Sequence, residues 1–377
     1  MLKKIIFLAL IVFLVIGLFA QSGLATQEKK VYNWNFNTDY DKAFNLASHL
    51  QSWADDVWEE TNHQLKIDIY YNGTLGHQGS DIMSSLKNGL LDASEIGIST
   101  SVVEMNKPYW KFNDFFPLYD NWEQLRYVEK VAYPMIRQDI LDFGGVIPLG
   151  LYNASPDGDV EGFWMNKKIE KMEDFKGMKI RVYYTAARKY IYEPLGINSL
   201  FIPGSECYQS LKSNLIDGIQ QCTASGLVGH YYEIAKYFYA FIPAQGSWWG
   251  MICSQKSFDA LPQDVQEGLI RASNKHEKLI SDEVWPNPNK YSPGLAGEET
   301  TRTSIEALKK KNIVLVRVPL LEKKVKEQAL IGLKQWIADE GGPQAQILYD
   351  ALLEAKELYP DFNEPDYESL DILNIEE

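Results

Sequence analysis

From residue 31 to residue 71 the spacing of apolar residues changes period twice. Val31–Phe36 is extended, with Trp34 and Phe36 on one face. Across Asp41–Asn62, Ala43, Leu46, Ala47, Leu50, Trp53, Ala54, Val57 and Trp58 recur every three or four positions, which predicts an amphipathic helix. Leu65, Ile67, Ile69 and Tyr71 then alternate, predicting a strand that ends in the turn Asn72-Gly73. The same grammar continues downstream. Asn121–Asp142 reads as a helix running into a strand at Val146–Tyr152, and Phe163–Asn166 is again extended. In the next strand Met178, Ile180 and Val182 share one face, while Lys179, Arg181 and Tyr183 share the other. Arg188–Leu195 is predicted helical, stopping at Gly196. Leu261-Pro262 opens a helix carrying Val265, Leu269, Ile270 and Ala272. Ile313–Val318 reads as a strand, and Leu320–Glu340 and Gln344–Leu358 as amphipathic helices. Pro286, Pro288 and Pro293 break the pattern within Trp285–Gly297.

One decapeptide occurs twice. SLKNGLLDAS at Ser85–Ser94 returns as SLKSNLIDGI at Ser210–Ile219, with Ser85/Ser210, Leu86/Leu211, Lys87/Lys212, Leu90/Leu215 and Asp92/Asp217 identical. Each copy reads as a helix end, a turn and the start of a buried strand, and Gly89 stands where a helix C-cap is expected. Strands alternating with helices imply an α/β fold. Two similar units imply two lobes, each a mixed sheet flanked by helices, with a ligand cleft between them. The polar stretch Asn153–Gly162 and the segment Pro243–Trp249 are the expected crossings. The expected division is lobe I at 31–153 plus 243–285, lobe II at 154–242 plus 298–319, C-terminal helices at 320–360 and a solvated acidic tail at 361–377.

Charge and chemistry narrow the reading. Lys3 and Lys4 precede the apolar run Ile5–Ala20 and the small-residue pattern Gly23-Leu24-Ala25, so residues 1–25 are expected to be a cleavable signal peptide and the mature chain periplasmic. Losing Lys3 and Lys4 takes the formal charge from −14 to −16, which argues against a nucleic-acid partner. None of the five histidines forms an HExxH motif or joins a cysteine pair at zinc spacing. No nucleophile elbow or phosphate loop is present, and Asp157–Gly162 resembles half a calcium loop whose closing position is Lys168. No enzyme, metal or cofactor is expected. Of Cys207, Cys222 and Cys253, the first two flank the second repeat; pairing and free thiols both stay open.

Arg181 is the sharpest candidate for ligand binding, because a guanidinium at the carboxyl end of a strand grips a carboxylate through two parallel hydrogen bonds. Gln220 and Gln221 end the second repeat and offer amides that donate and accept. Trp248 and Trp249 are adjacent, so one of them is expected to wall a cleft; Trp164 is a weaker case, and Tyr183 stands beside Arg181.

The segments WADDVWEETNHQLKIDIYYNGTLG, SLKNGLLDASEIG, EDFKGMKIRV, PGSECYQSLKSNLIDGIQQ and LPQDVQEGLIRAS, in that order, resemble the extracytoplasmic solute-binding proteins of tripartite ATP-independent periplasmic (TRAP) transporters. The resemblance implies a two-lobed periplasmic-binding-protein architecture in which Arg181 clamps a ligand carboxylate, with integral-membrane permease subunits as partners. EGFWM and GSWWG look most like the branch that binds keto and hydroxy acids, sometimes with a metal ion. Gln220-Gln221 and Gly250 replace acidic residues common there, which puts a metal-bridged ligand and any exact substrate in doubt. A sensor subunit for a signalling receptor and an exported enzyme acting on organic acids are the competing functions. A homodimer through the C-terminal helices is a further expectation.

Overall fold

The computed structural model describes residues 29–39, 42, 45–77, 79–153, 160–243, 247–281, 307–360 and 373–374. The signal segment, residues 157–159 of the calcium-like stretch, the proline-rich stretch and most of the acidic tail lie outside them. In chain order the strands are β1 (Tyr32–Asn37), β2 (Leu65–Tyr70), β3 (Ala93–Gly97), β4 (Val146–Asn153), β5 (Val160–Met165), β6 (Lys179–Arg181), β7 (Asn198–Leu200), β8 (Gly218–Gln220), β9 (Tyr237–Pro243), β10 (Trp248–Ser254), β11 (Val314–Arg317) and β12 (Leu373–Asn374). The principal helices are α1 (Asn45–Glu60), α2 (Ile82–Lys87), α3 (Trp122–Phe143), α4 (Gly204–Lys212), α5 (Gln263–Leu279), α6 (Pro319–Trp336) and α7 (Gly342–Leu358).

Two mixed sheets result. A five-stranded sheet has the order β2-β1-β3-β10-β4, and a seven-stranded sheet the order β12-β11-β9-β5-β8-β6-β7. β1 runs parallel to β2 and β3, whereas β10 is antiparallel to β3 and β4. In the second sheet β6 is parallel to β7 and β8, and β5 is antiparallel to β8 and β9. The chain changes sheets between β4 and β5 and returns between β9 and β10. The return is shorter than its sequence suggested. Pro243 still pairs with Val160, and Trp248 and Trp249 already pair with Asn153 and Tyr152, so their backbones belong to ladders.

The amphipathic patterns become core where predicted. α1 buries Leu50, Trp53, Ala54 and Val57, and Trp53 Nε1 donates to Ser273 Oγ of α5 at 3.1 Å. α3 is capped by Asn121, whose side chain accepts from Gln124 N–H, and it buries Leu125, Val128, Ala132, Ile136 and Ile140. The C-terminal helices join the two lobes. α7 packs on α3, and the Tyr359 carbonyl accepts from Asn121 Nδ2 at 3.0 Å and Gln124 Nε2 at 2.7 Å. α6 lies against Tyr190 so closely that a Cβ on Gly332 would meet its carbonyl at 2.4 Å. Leu373–Asn374 pairs with β11, so this part of the acidic tail is docked rather than solvated; two ladder positions hold it to an otherwise open strand edge.

The repeated decapeptide is one structural unit used twice. Gly89 and Asn214 occupy the same turn position with φ of 69° and 57°, left-handed values that suit glycine and asparagine. Leu90 N–H donates to the Ser85 carbonyl at 2.9 Å, and Leu215 N–H to the Ser210 carbonyl at 3.0 Å. Asp92 accepts from the N–H of Asn35 on β1 at 3.0 Å, and Asp217 from that of Lys179 on β6 at 3.0 Å. The shared aspartate thus ties each unit's strand to its parallel neighbour. Cys207, Cys222 and Cys253 form no disulfide.

Candidate functional site

Three residues of β6 carry Arg181 to the carboxyl end of the second sheet, with Ile180 buried on the opposite face. Arg181 as a whole is 2% exposed. Nε donates to the Ile202 carbonyl beyond β7 at 3.1 Å, and one terminal nitrogen to the Gln220 carbonyl at 3.4 Å. Its carbon lies 5.2 Å from the centre of the Tyr183 ring. Among the described residues no carboxylate stands within ion-pair distance of Arg181. Two carbonyls aim the group without neutralising it, and a buried charge held that way calls for an anion.

The other sequence candidates divide between core and cleft. Trp164 is a correction: it is fully buried, meets Tyr231 and Phe238 edge to face, and donates Nε1 to the Gln221 carbonyl at 3.2 Å. Its alternation on β5 turns it toward the α4 side of the sheet, the face it shares with Ile219 and Arg181, and there it is packed with Cys207 and Leu211. Trp248 is also core, stacked on Phe112 at 6.4 Å and edge-on to Tyr133 at 6.2 Å. Trp249 faces the other side of its sheet and remains half-buried near Gly97. Gln220 is buried, its Nε2 donating to Glu161 Oε1 at 2.6 Å, while Gln221 is half-buried. Adjacent strand residues face opposite ways, so the two amides are not interchangeable.

Sequence reasoning missed the wall contributed by the first sheet. Thr38 and Asp39 follow β1, Glu95 lies within β3, and Asp114 ends the 3-10 turn Pro108–Asp114, on which Thr185–Ala187 of the other lobe packs. Glu95 is almost wholly buried and accepts from Thr38 Oγ1 at 2.7 Å and from the Tyr152 hydroxyl. Burial pushes its carboxyl up to about 7 against those two hydrogen bonds, and Asp39 adds to the rise. Burial likewise pushes Asp114 up to about 7, opposed by a hydrogen bond from Ser99 and by Lys111. The Tyr183 phenol is pushed up to about 12 by burial, then by Asp114, with Arg181 opposing and Asp39 adding. Tyr183 therefore stands where the arginine of one lobe and the acids of the other meet. Tyr184 reaches the second crossing, its hydroxyl 3.0 Å from Ser247 Oγ. A charged residue inside a strand expected to be buried was the available signal for Glu95. Among the described residues no group of three or more His, Cys, Asp or Glu is placed to hold a metal ion.

Comparison with known proteins agrees with this architecture. An uncharacterised protein of Haemophilus influenzae is 29% identical over 238 residues, covering 61% of this chain and 66% of that protein. The C4-dicarboxylate-binding periplasmic protein of Rhodobacter capsulatus is 25% identical over 258 residues, covering 66% and 69%. A solute-binding protein of Chromohalobacter salexigens is 24% identical over 197 residues, covering 50% of this chain and 54% of that one, so the chain spans between half and two thirds of some curated relatives. The crystal structure of DctP7, a Bordetella pertussis extracytoplasmic solute receptor binding pyroglutamic acid, superposes with a TM-score of 0.71 at 20% identity, covering 86% of this chain and 100% of that one. A TRAP periplasmic solute-binding protein from Sulfitobacter with bound galacturonate gives 0.69 at 18% identity, covering 86% and 100%. These likenesses share the two-sheet fold. The family model for bacterial extracellular solute-binding proteins, family 7, matches residues 38–327, and the chain belongs to that family.

Proposed function

We propose that this protein is a periplasmic receptor that captures a small organic acid between its lobes and delivers it to a TRAP-type membrane permease. One observation carries the proposal: Arg181 is buried, aimed by two carbonyls, and has no acidic partner among the described residues. A ligand carboxylate supplies the missing anion. Charge-assisted hydrogen bonds of this kind contribute about 1.5–3 kcal/mol each. Tyr183 shields the pair, Gln221 lies on the same sheet face as Arg181, and half-buried Trp249 is the member of the tryptophan pair left to wall the cleft. Relatives bind pyroglutamate, galacturonate or C4-dicarboxylates, all of them carboxylates, which supports the class.

The lobes are taken as 31–153 plus 243–285 and 154–242 plus 298–319, closing about the two crossings as contacts from both sides form. Family membership favours a binding protein over an exported enzyme. Residues 1–25 act as the export signal. Self-association through the C-terminal helices would use Ile331, Ile347 and Leu353, which are exposed. The test is calorimetry with an organic acid identified by mass spectrometry of natively purified protein. Arg181→Ala is expected to weaken it at least tenfold while the circular dichroism spectrum is unchanged; equal affinity removes Arg181 from the site.

A further inference from the structure

A groove of about 650 Å³ lies between α3 and α5, and none of its lining residues belongs to the Arg181 site. Both helices pack on β4, the terminal strand of the first sheet. Four cations line the groove, Arg126, Lys130 and Arg137 from α3 and Lys278 from α5, against two acids. Both acids are already engaged. Glu129 is 1% exposed and accepts from Arg126 at 2.9 Å and from Asn153 Nδ2 at 3.0 Å. Glu277 takes one terminal nitrogen of Arg137 at 2.7 Å, and the other donates to the Pro148 carbonyl at 3.3 Å. Among the described residues no carboxylate stands within ion-pair distance of Lys130 or Lys278, one on each wall. Two ammonium groups converging on one cavity repel each other, and an anion that bridges them reverses the sign of the interaction. The Asn274 amide and the Ser281 hydroxyl add neutral donors on the α5 side.

We propose that this groove is a second ligand site, for a small multivalent oxyanion such as a phosphate ester or a polycarboxylate, held by Lys130 and Lys278 from opposite walls. Arg126 and Arg137 stay with their acids and act as positioning residues, so the lysines carry the uncompensated charge. Lysine is a hydrated point charge on a flexible stem, and the number of charges on the ligand decides affinity here more than its shape. A monovalent acid satisfies one wall and leaves the other cation unpaired. The cavity has the size of a small-molecule site, and its donors converge from two rigid helices rather than from loops. It stands apart from the cleft, so the two ligands do not compete for one arginine.

Calorimetry of the full chain in about 20 mM salt, where charges are weakly screened, tests this with pyrophosphate, citrate and acetate. Pyrophosphate, citrate or both are expected to bind one to one, with acetate at least about 100-fold weaker. Pyrophosphate alone points to phosphate esters, and citrate alone to polycarboxylates. The double variant Lys130→Gln/Lys278→Gln is expected to weaken the bound polyanion at least about tenfold with an unchanged circular dichroism spectrum. Folded Arg181→Ala is expected to keep polyanion binding within about twofold of wild type, since its site is separate. Binding of neither polyanion overturns the proposal, as does acetate binding as well as they do. An affinity that Lys130→Gln/Lys278→Gln leaves unchanged also overturns it. Loss of polyanion binding in folded Arg181→Ala places the anion in the cleft, which overturns the second site while leaving the organic-acid reading intact.

Discussion

His276→Leu replaces an imidazole that the fold buries within α5. His276 lies on the inner face of α5, fully buried, and neither ring nitrogen has a hydrogen-bond partner among the described residues. Its ring centre is 6.3 Å from that of His49. Burial, reinforced by His49, pushes its pKa down to about 3. The unfolded value is about 6.5. The folded state therefore binds fewer protons than the unfolded chain, and its stability falls as pH drops through 6.5 toward 3. With about 1.36 kcal/mol per pH unit of differential protonation, the loss is about 2 kcal/mol at pH 5 and about 3 kcal/mol at pH 4. Leucine has similar bulk, removes the orphaned polar atoms and cannot be protonated. At pH 7 the variant is expected to be about 1–3 kcal/mol more stable, the scale of an unpaired buried polar group. At pH 5 its advantage should grow by about 2 kcal/mol. Urea denaturation of both proteins at the two pH values measures the difference, and an unchanged m-value shows that the same surface unfolds. Parallel pH profiles would refute the reasoning, because they would mean that the ring keeps its ordinary pKa in the folded protein.

Three further outcomes follow from particular contacts. Glu95→Gln removes a carboxyl held near 7, so raising the pH from 5 to 8 should cost wild type up to about 3 kcal/mol relative to the variant; the sign is positive because ionisation is penalised only in the folded state. Melting curves at the two pH values check it, and equal shifts would sink the assignment. Gly226→Ala drives a Cβ to within 2.0 Å of the Trp164 ring and should destabilise by about 1–3 kcal/mol, seen as a lower melting temperature. Asp92→Ala and Asp217→Ala should each cost about 0.5–1.5 kcal/mol in denaturant titrations, since each removes the tether to an exposed strand N–H that water then hydrates; a silent variant at either position would break the equivalence of the repeats.

Much of the architecture was legible in local pattern. The three- and four-residue spacing over Leu50, Trp53, Ala54 and Val57 is an α-helix face wherever it packs, and alternation over Leu65, Ile67 and Ile69 is a strand face. The repeated decapeptide carried its own turn and its aspartate tether, both short-range features. Arg181 could be placed on the polar side of β6 from the alternation alone. What the sequence could not supply was which residues from distant segments meet. Adjacent tryptophans must point to opposite faces of β10, but their core packing follows from Phe112 and Tyr133, far away in the chain. Trp164 looked available only until Tyr231 and Phe238 closed over it. The acids that act on Tyr183 come from Asp39, just after β1, and from residue 114, far from it in the chain, and only the fold brings them near it. Periodicity is a property of neighbouring residues and survives in the sequence; burial, charge pairing and the shifts they cause belong to neighbours in space, and chain folding alone decides them.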